Sequence, residues 1–195
     1  MIIVLTPEEL VDRELQHVNC MLDMGLPLLH IRKFRMEDDE MMAYIDGIGQ
    51  QYRERLVFHS HFHLAAEAGI MRLHFREVDR LRGRHNNFAN DHFISTSVHS
   101  IDAFNALDPV WNYAFLSPVF PSISKRGYGL DQPVLNDIRR KDNPALRLVG
   151  LGGIDQDNYQ QVLAAGADGV ALLGGIWNAP LPEKVLATIL QSPTT

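Results

Sequence analysis

The residues best suited to chemistry fall into four groups. Leu148-Val-Gly-Leu-Gly-Gly-Ile154 and Gly169-Val-Ala-Leu-Leu-Gly-Gly-Ile176 each end an apolar run in paired glycines. Paired glycines let backbone N–H groups approach an anion closely, and a following helix adds a favourable dipole. A phosphate is the expected guest of Gly152, Gly153, Gly174 and Gly175. Ser117-Pro-Val-Phe-Pro-Ser-Ile-Ser-Lys125, then Arg126-Gly-Tyr-Gly129, places Ser122 and Ser124 beside Lys125. Those groups can hydrogen-bond and neutralise a phosphate, and the glycines suit the hinges of a lid over 118–132. Arg32 closes the apolar run Leu28-Leu-His-Ile-Arg, where a guanidinium can fork onto phosphate oxygens. Finally, His59-Ser-His-Phe-His63 packs three histidines into five residues. This segment crosses from strand into helix and no cysteine-rich partner exists, so hydrogen bonding is the better expectation than zinc.

These groups need elements to position them. Eight short apolar runs recur along the chain: Ile2–Leu5, Leu28–Arg32, Leu56–His59, Met71–Phe75, Phe93–Val98, Tyr113–Ser117, Leu148–Leu151 and Gly169–Leu173. Each has the length of a strand. Between them run amphipathic stretches, notably Pro7–Met24, Met36–Arg55 and Asp157–Ala165, the last stopped by Gly166. The segments 80–91 and 118–132 read as loops. Alternating strands and helices predict an α/β fold with parallel strands, and eight units predict a (β/α)₈ barrel, with an open doubly wound sheet as the alternative. In a barrel, the chemistry gathers at the C-terminal ends of the strands. There the sequence places Arg32, His59, His74, Ser97, His99, Ser117 and both glycine pairs.

The chain has 195 residues, 46% of them apolar, with a formal charge of −6 and one cysteine. That length suits one domain, 1–195. The acidic excess argues against a nucleic-acid or membrane-surface footprint. No apolar stretch is long enough to span a membrane, and the N-terminus lacks a signal-peptide pattern. With Cys20 alone no internal disulfide can form, which fits a cytoplasmic protein, and Cys20 reads as a small buried hydrophobe. Small phosphorylated substrates are the expected partners, and a homo-oligomer stays open.

Taken in order, Leu28–Arg32, Arg72–Phe75 with Asp79 beyond, Ser97–Ser100, Leu116–Lys125, Gly150–Ile154 and Ala165–Val170 resemble the thiamine-phosphate synthase/TenI family. The resemblance spans nearly the whole chain. It implies a barrel whose synthases join a hydroxymethylpyrimidine diphosphate to a thiazole phosphate with Mg²⁺, releasing pyrophosphate. It assigns Arg32, Ser97, Ser122 and Lys125 to pyrophosphate, Asp79 to Mg²⁺, and the two glycine pairs to the thiazole phosphate.

Several positions depart from that pattern. His30 stands where synthases have glutamine, and Phe34 where they have a clamp lysine. His59-Ser60 replaces their Asn-Asp, which removes the second Mg²⁺ aspartate. Lys33 and Arg35 are candidates to supply the charge missing at Phe34. A TenI-like tautomerase, using His30 or His59 for proton transfer, is the alternative enzyme, although Ser117-Pro118 occupies its histidine position. A non-catalytic binder of thiamine precursors is the third reading.

Overall fold

The structure, a computed structural model, describes residues 1–121 and 134–191. Eight parallel strands close into a barrel in sequence order: β1 (Ile2–Leu5), β2 (Leu28–Ile31), β3 (Leu56–Phe58), β4 (Arg72–Phe75), β5 (Phe93–Val98), β6 (Tyr113–Leu116), β7 (Arg147–Leu151) and β8 (Gly169–Leu172). The helices are α1 (Glu14–Asp23), α2 (Asp38–Asp46), α3 (Ala65–Ala68), α4 (Glu77–Leu81), α5 (Ile101–Asn105), α6 (Tyr159–Ala164), α7 (Gly174–Trp177) and α8 (Pro182–Gln191). The open-sheet alternative is excluded, because β1 pairs with both β2 and β8.

Alternation along each strand builds two cores. Outward residues such as Val4, Leu29, Ile31, Phe58, Leu73 and Phe75 pack under the helices. Inward residues Ile3, Leu5, Leu28, Val57, Tyr113, Phe115, Val149 and Ala171 fill the lumen. The same inward rows carry His30, His59, His74 and Ser95, all buried. One side of the lumen is therefore polar.

Two helical expectations are shorter in fact. Of Pro7–Met24, only Glu14–Asp23 is helical, because Arg13 adopts a left-handed conformation (φ 51°) at the helix start. The preceding residues instead form a strap along the barrel mouth. Within 36–55, α2 ends at Gly47 and the chain continues as a 3₁₀ helix, Gln50–Arg55. At the other end of α2, Glu37 and Glu40 form a reciprocal capping box. The stretch 80–91, expected as a loop, contains the end of α4 and a 3₁₀ turn at Arg84–Asn87. Cys20 is only half-buried rather than buried as expected.

Candidate functional site

Both glycine pairs line one cavity at the C-terminal end of the barrel. Its volume is about 620 Å³, and Arg32 also lines it. Leu5, Leu151, Ala171, Leu173 and Trp177 supply apolar lining, and the strap residues Glu8 and Glu9 close one side. Trp177 is held by its indole N–H donating to the Leu5 carbonyl at 2.7 Å.

The glycines are needed here for reasons of space and conformation. Gly152 and Gly153 have φ of 100° and 65°, a region that L side chains rarely adopt. A Cβ on Gly152 would sit 3.1 Å from Pro118 Cα, next to the cis Ser117–Pro118 bond. A Cβ on Gly153 would lie 2.3 Å from the Pro121 carbonyl oxygen, and one on Gly175 would lie 2.2 Å from that of Ile154. Gly174 and Gly175 begin α7, so their N–H groups have no acceptor within the helix. The wall thus carries backbone donors and no side chain.

Arg32 is part-buried at the mouth. Its guanidinium lies 5.6 Å from the Phe34 ring and 3.8 Å from a Glu8 carboxylate oxygen, and its backbone N–H donates to Thr6 Oγ1 at 2.8 Å. Lys33 cannot replace the charge missing at Phe34. Its ammonium is fully buried and donates to Glu14 at 2.9 Å, while Tyr44 donates to the same carboxylate at 2.6 Å. Burial lowers the Lys33 pKa, and the Glu14 carboxylate opposes that shift. Arg35 is exposed and paired with Glu9 at 2.7 Å.

Below the mouth lies a histidine network. His30 Nδ1 is hydrogen-bonded to His59 Nε2 at 2.7 Å, and His30 Nε2 to the Tyr113 hydroxyl at 2.7 Å. His74 stacks on His59 with ring centroids 4.3 Å apart. Its two nitrogens meet the Ser95 and Ser97 hydroxyls, each at 2.9 Å. Burial holds all three imidazoles neutral: His74 is pushed down to about 3, and His30 and His59 well below the usual histidine range. Ser97 is therefore a half-buried hydroxyl oriented from beneath. The other two histidines of the 59–63 segment lie outside this network, with His61 bonded to the Met36 carbonyl at 2.8 Å and His63 to Asp38 at 2.9 Å.

The residues that the resemblance offers to Mg²⁺ are engaged elsewhere. Asp79 is buried in α4, and both its oxygens accept from guanidinium groups, Arg76 Nε at 2.8 Å and Arg84 at 3.1 Å. Ser60 Oγ is hydrogen-bonded to His61 Nδ1 at 2.8 Å and lies 3.3 Å from the Lys33 carbonyl oxygen. Mg²⁺ needs hard oxygens in near-octahedral order. Asp79 and Ser60, arranged this way, do not fit a protein-held Mg²⁺. Among the described residues, the one cluster of potential metal-binding side chains is His30, His59 and His74, whose nitrogen donors do not suit that ion.

Sequence reasoning misses one residue here and the partner of another. It puts His74 at a strand end but does not reveal its bond to Ser97. Arg76 was not singled out, although His74-Phe-Arg76 repeats the spacing of His30-Ile-Arg32. Ser122, Lys125 and most of the lid expected over 118–132 lie outside the described residues.

Comparison with known proteins identifies the family. Residues 2–176 match the family described as thiamine monophosphate synthase. The thiamine-phosphate synthase of Listeria welshimeri is 30% identical over 159 residues, covering 79% of this chain and 76% of that protein. The Geobacillus thermodenitrificans enzyme of the same name is 26% identical, covering 86% and 80%. Among solved structures, thiamine phosphate pyrophosphorylase from Pyrococcus furiosus superposes with a TM-score of 0.79 at 21% identity, covering 97% of this chain and 93% of that one. The Bacteroides thetaiotaomicron counterpart gives 0.77, also at 21%, covering 97% and 95%. The chain belongs to the thiamine monophosphate synthase family.

Proposed function

We propose that the chain joins a hydroxymethylpyrimidine diphosphate to a thiazole phosphate, releasing pyrophosphate and forming thiamine phosphate. The observation that carries this reading is the one cavity lined by both glycine pairs, by Arg32 and by apolar side chains. The thiazole phosphate would sit on the N–H groups of Gly152, Gly153, Gly174 and Gly175, with its ring against the apolar lining. The pyrimidine methylene carbon exchanges its bond to a diphosphate oxygen for a bond to the thiazole nitrogen, and pyrophosphate leaves with the electron pair. The protein's part is to align the two partners and stabilise the departing charge. Arg32 and Ser97 take that role in this reading, joined by Ser122 and Lys125. His30 has both ring nitrogens engaged and no exposure, so we assign it to positioning. His59 is bound to it and is assigned likewise.

No step here runs through a protein-held metal. The substrates are small and phosphorylated. Among the described residues, no helix is long and apolar enough to cross a membrane, and we place the reaction in the cytoplasm. Turnover of the paired substrates tests the reading. Lys125→Ala should lower kcat/KM at least tenfold, about 1.4 kcal/mol in the barrier, with the circular dichroism spectrum unchanged. Unchanged turnover would remove Lys125 from the site.

A further inference from the structure

We propose that Arg76 and Arg32 form a paired guanidinium clamp for the diphosphate, which this chain binds without Mg²⁺. The proposal deepens the synthase reading and rests on it for the identity of the ligand.

Strand alternation places the two arginines in corresponding positions. Arg32 follows His30 by two residues at the end of β2, and Arg76 follows His74 by two at the end of β4. Their histidines face inward in the buried network, so each arginine continues its inward row toward the mouth. Arg76 keeps an extended backbone (φ −60°, ψ 159°) before α4 begins. Ser97 lies on the neighbouring strand, one residue beyond the Phe75–Thr96 pair.

Phe34 ties the two together. Its ring lies 5.6 Å from the Arg32 guanidinium carbon and 5.1 Å from that of Arg76. It also makes an edge contact with the His59 ring at 6.3 Å. The aromatic ring thus contacts both like charges without consuming their N–H donors.

Those donors are largely free for a ligand. Arg76 spends its Nε on Asp79, and among the described residues no acceptor meets its terminal nitrogens. Arg32 makes no side-chain hydrogen bond among the described residues, and Glu8 stands 3.8 Å away. Asp79, anchored from its other side by Arg84, orients the Arg76 fork. Two planar forks within 6 Å of one ring centroid suit a ligand with two adjacent phosphoryl groups. They also supply two positive charges where one carboxylate is already neutralised by arginine.

The test is calorimetric titration of the full chain with inorganic pyrophosphate, in EDTA and again in excess Mg²⁺. The wild type should bind in EDTA, and Mg²⁺ should change the affinity less than threefold. Arg76→Ala and Arg32→Ala should each weaken binding at least tenfold, with Arg76→Lys intermediate. Arg84→Ala, which also frees one Asp79 oxygen, should change it less than twofold. Binding seen only with Mg²⁺, unchanged binding in Arg76→Ala, or an equal loss in Arg84→Ala would each overturn the proposal. Thermal melts exclude variants that fail to fold, and Arg76→Gln then takes the place of Arg76→Ala. The synthase reading is separable. Turnover with Mg²⁺-dependent pyrophosphate binding removes the clamp alone. Arg76-dependent binding in EDTA without turnover removes the synthase reading and leaves the anion site.

Discussion

Gly175→Ala is expected to lower kcat/KM for the thiazole phosphate at least a hundredfold, with most of the loss in KM. The added Cβ would lie 2.2 Å from the Ile154 carbonyl oxygen and 2.8 Å from Asp155 Cα. Both are backbone atoms between β7 and α6, so no flexible side chain can yield. Instead α7 must lift, and it carries the N–H groups of Gly174 and Gly175 away from the phosphate position. A hundredfold loss corresponds to about 2.7 kcal/mol of transition-state binding. Steady-state kinetics with varied thiazole phosphate, on protein with an unchanged circular dichroism spectrum, checks it. Gly153→Ala should behave alike, since its Cβ would lie 2.3 Å from the Pro121 carbonyl at a φ of 65°. An unchanged KM in both variants would place the phosphate elsewhere.

The second large effect is loss of stability in mild acid. His30, His59 and His74 are neutral in the fold because burial depresses their pKa values, and mutual repulsion depresses His30 and His59 further. In the unfolded chain each titrates near 6.5. The unfolded state therefore binds more protons as pH falls below about 6.5, and the native state loses stability. For His74 the loss continues until its folded value of about 3. Each histidine contributes about 1.4 kcal/mol per pH unit, so His74 alone costs roughly 2 kcal/mol between pH 6.5 and 5. That shifts the melting point by about 4–8 °C, and the other two act in the same direction. Melting curves from pH 7 to 5 measure the effect, and His74→Gln should flatten the slope. A pH-independent melting point would contradict the buried neutral network.

How much of this was legible in the sequence follows from the range of the forces involved. Strand positions were readable to within about a residue, because each strand is a short apolar run bounded by polar turns. Helix starts were harder. Leu10 and Val11 extend the apolar pattern of α1, yet the left-handed Arg13 and the pull of Lys33 on Glu14 keep residues 7–12 out of the helix. The buried Lys33–Glu14–Tyr44 cluster joins three distant segments, and no local spacing reveals it. Gly152, Gly153, Gly174 and Gly175 were legible because each pair ends its own strand in adjacent barrel units. Arg76 is not, since its contact with the Phe34 ring joins residues distant in sequence. The resemblance matches Asp79 to a metal role by position, whereas its environment is set by Arg76 and Arg84.

Product analysis tests the central claim most directly. Purified protein is incubated with hydroxymethylpyrimidine diphosphate and thiazole phosphate together, and with thiazole phosphate alone in heavy water. Thiamine phosphate and pyrophosphate should appear in equal amounts from the pair, and the lone thiazole phosphate should take up no deuterium above the protein-free control. Deuterium uptake into the thiazole phosphate, with no pyrophosphate released from the pair, would contradict the account and make the chain a tautomerase.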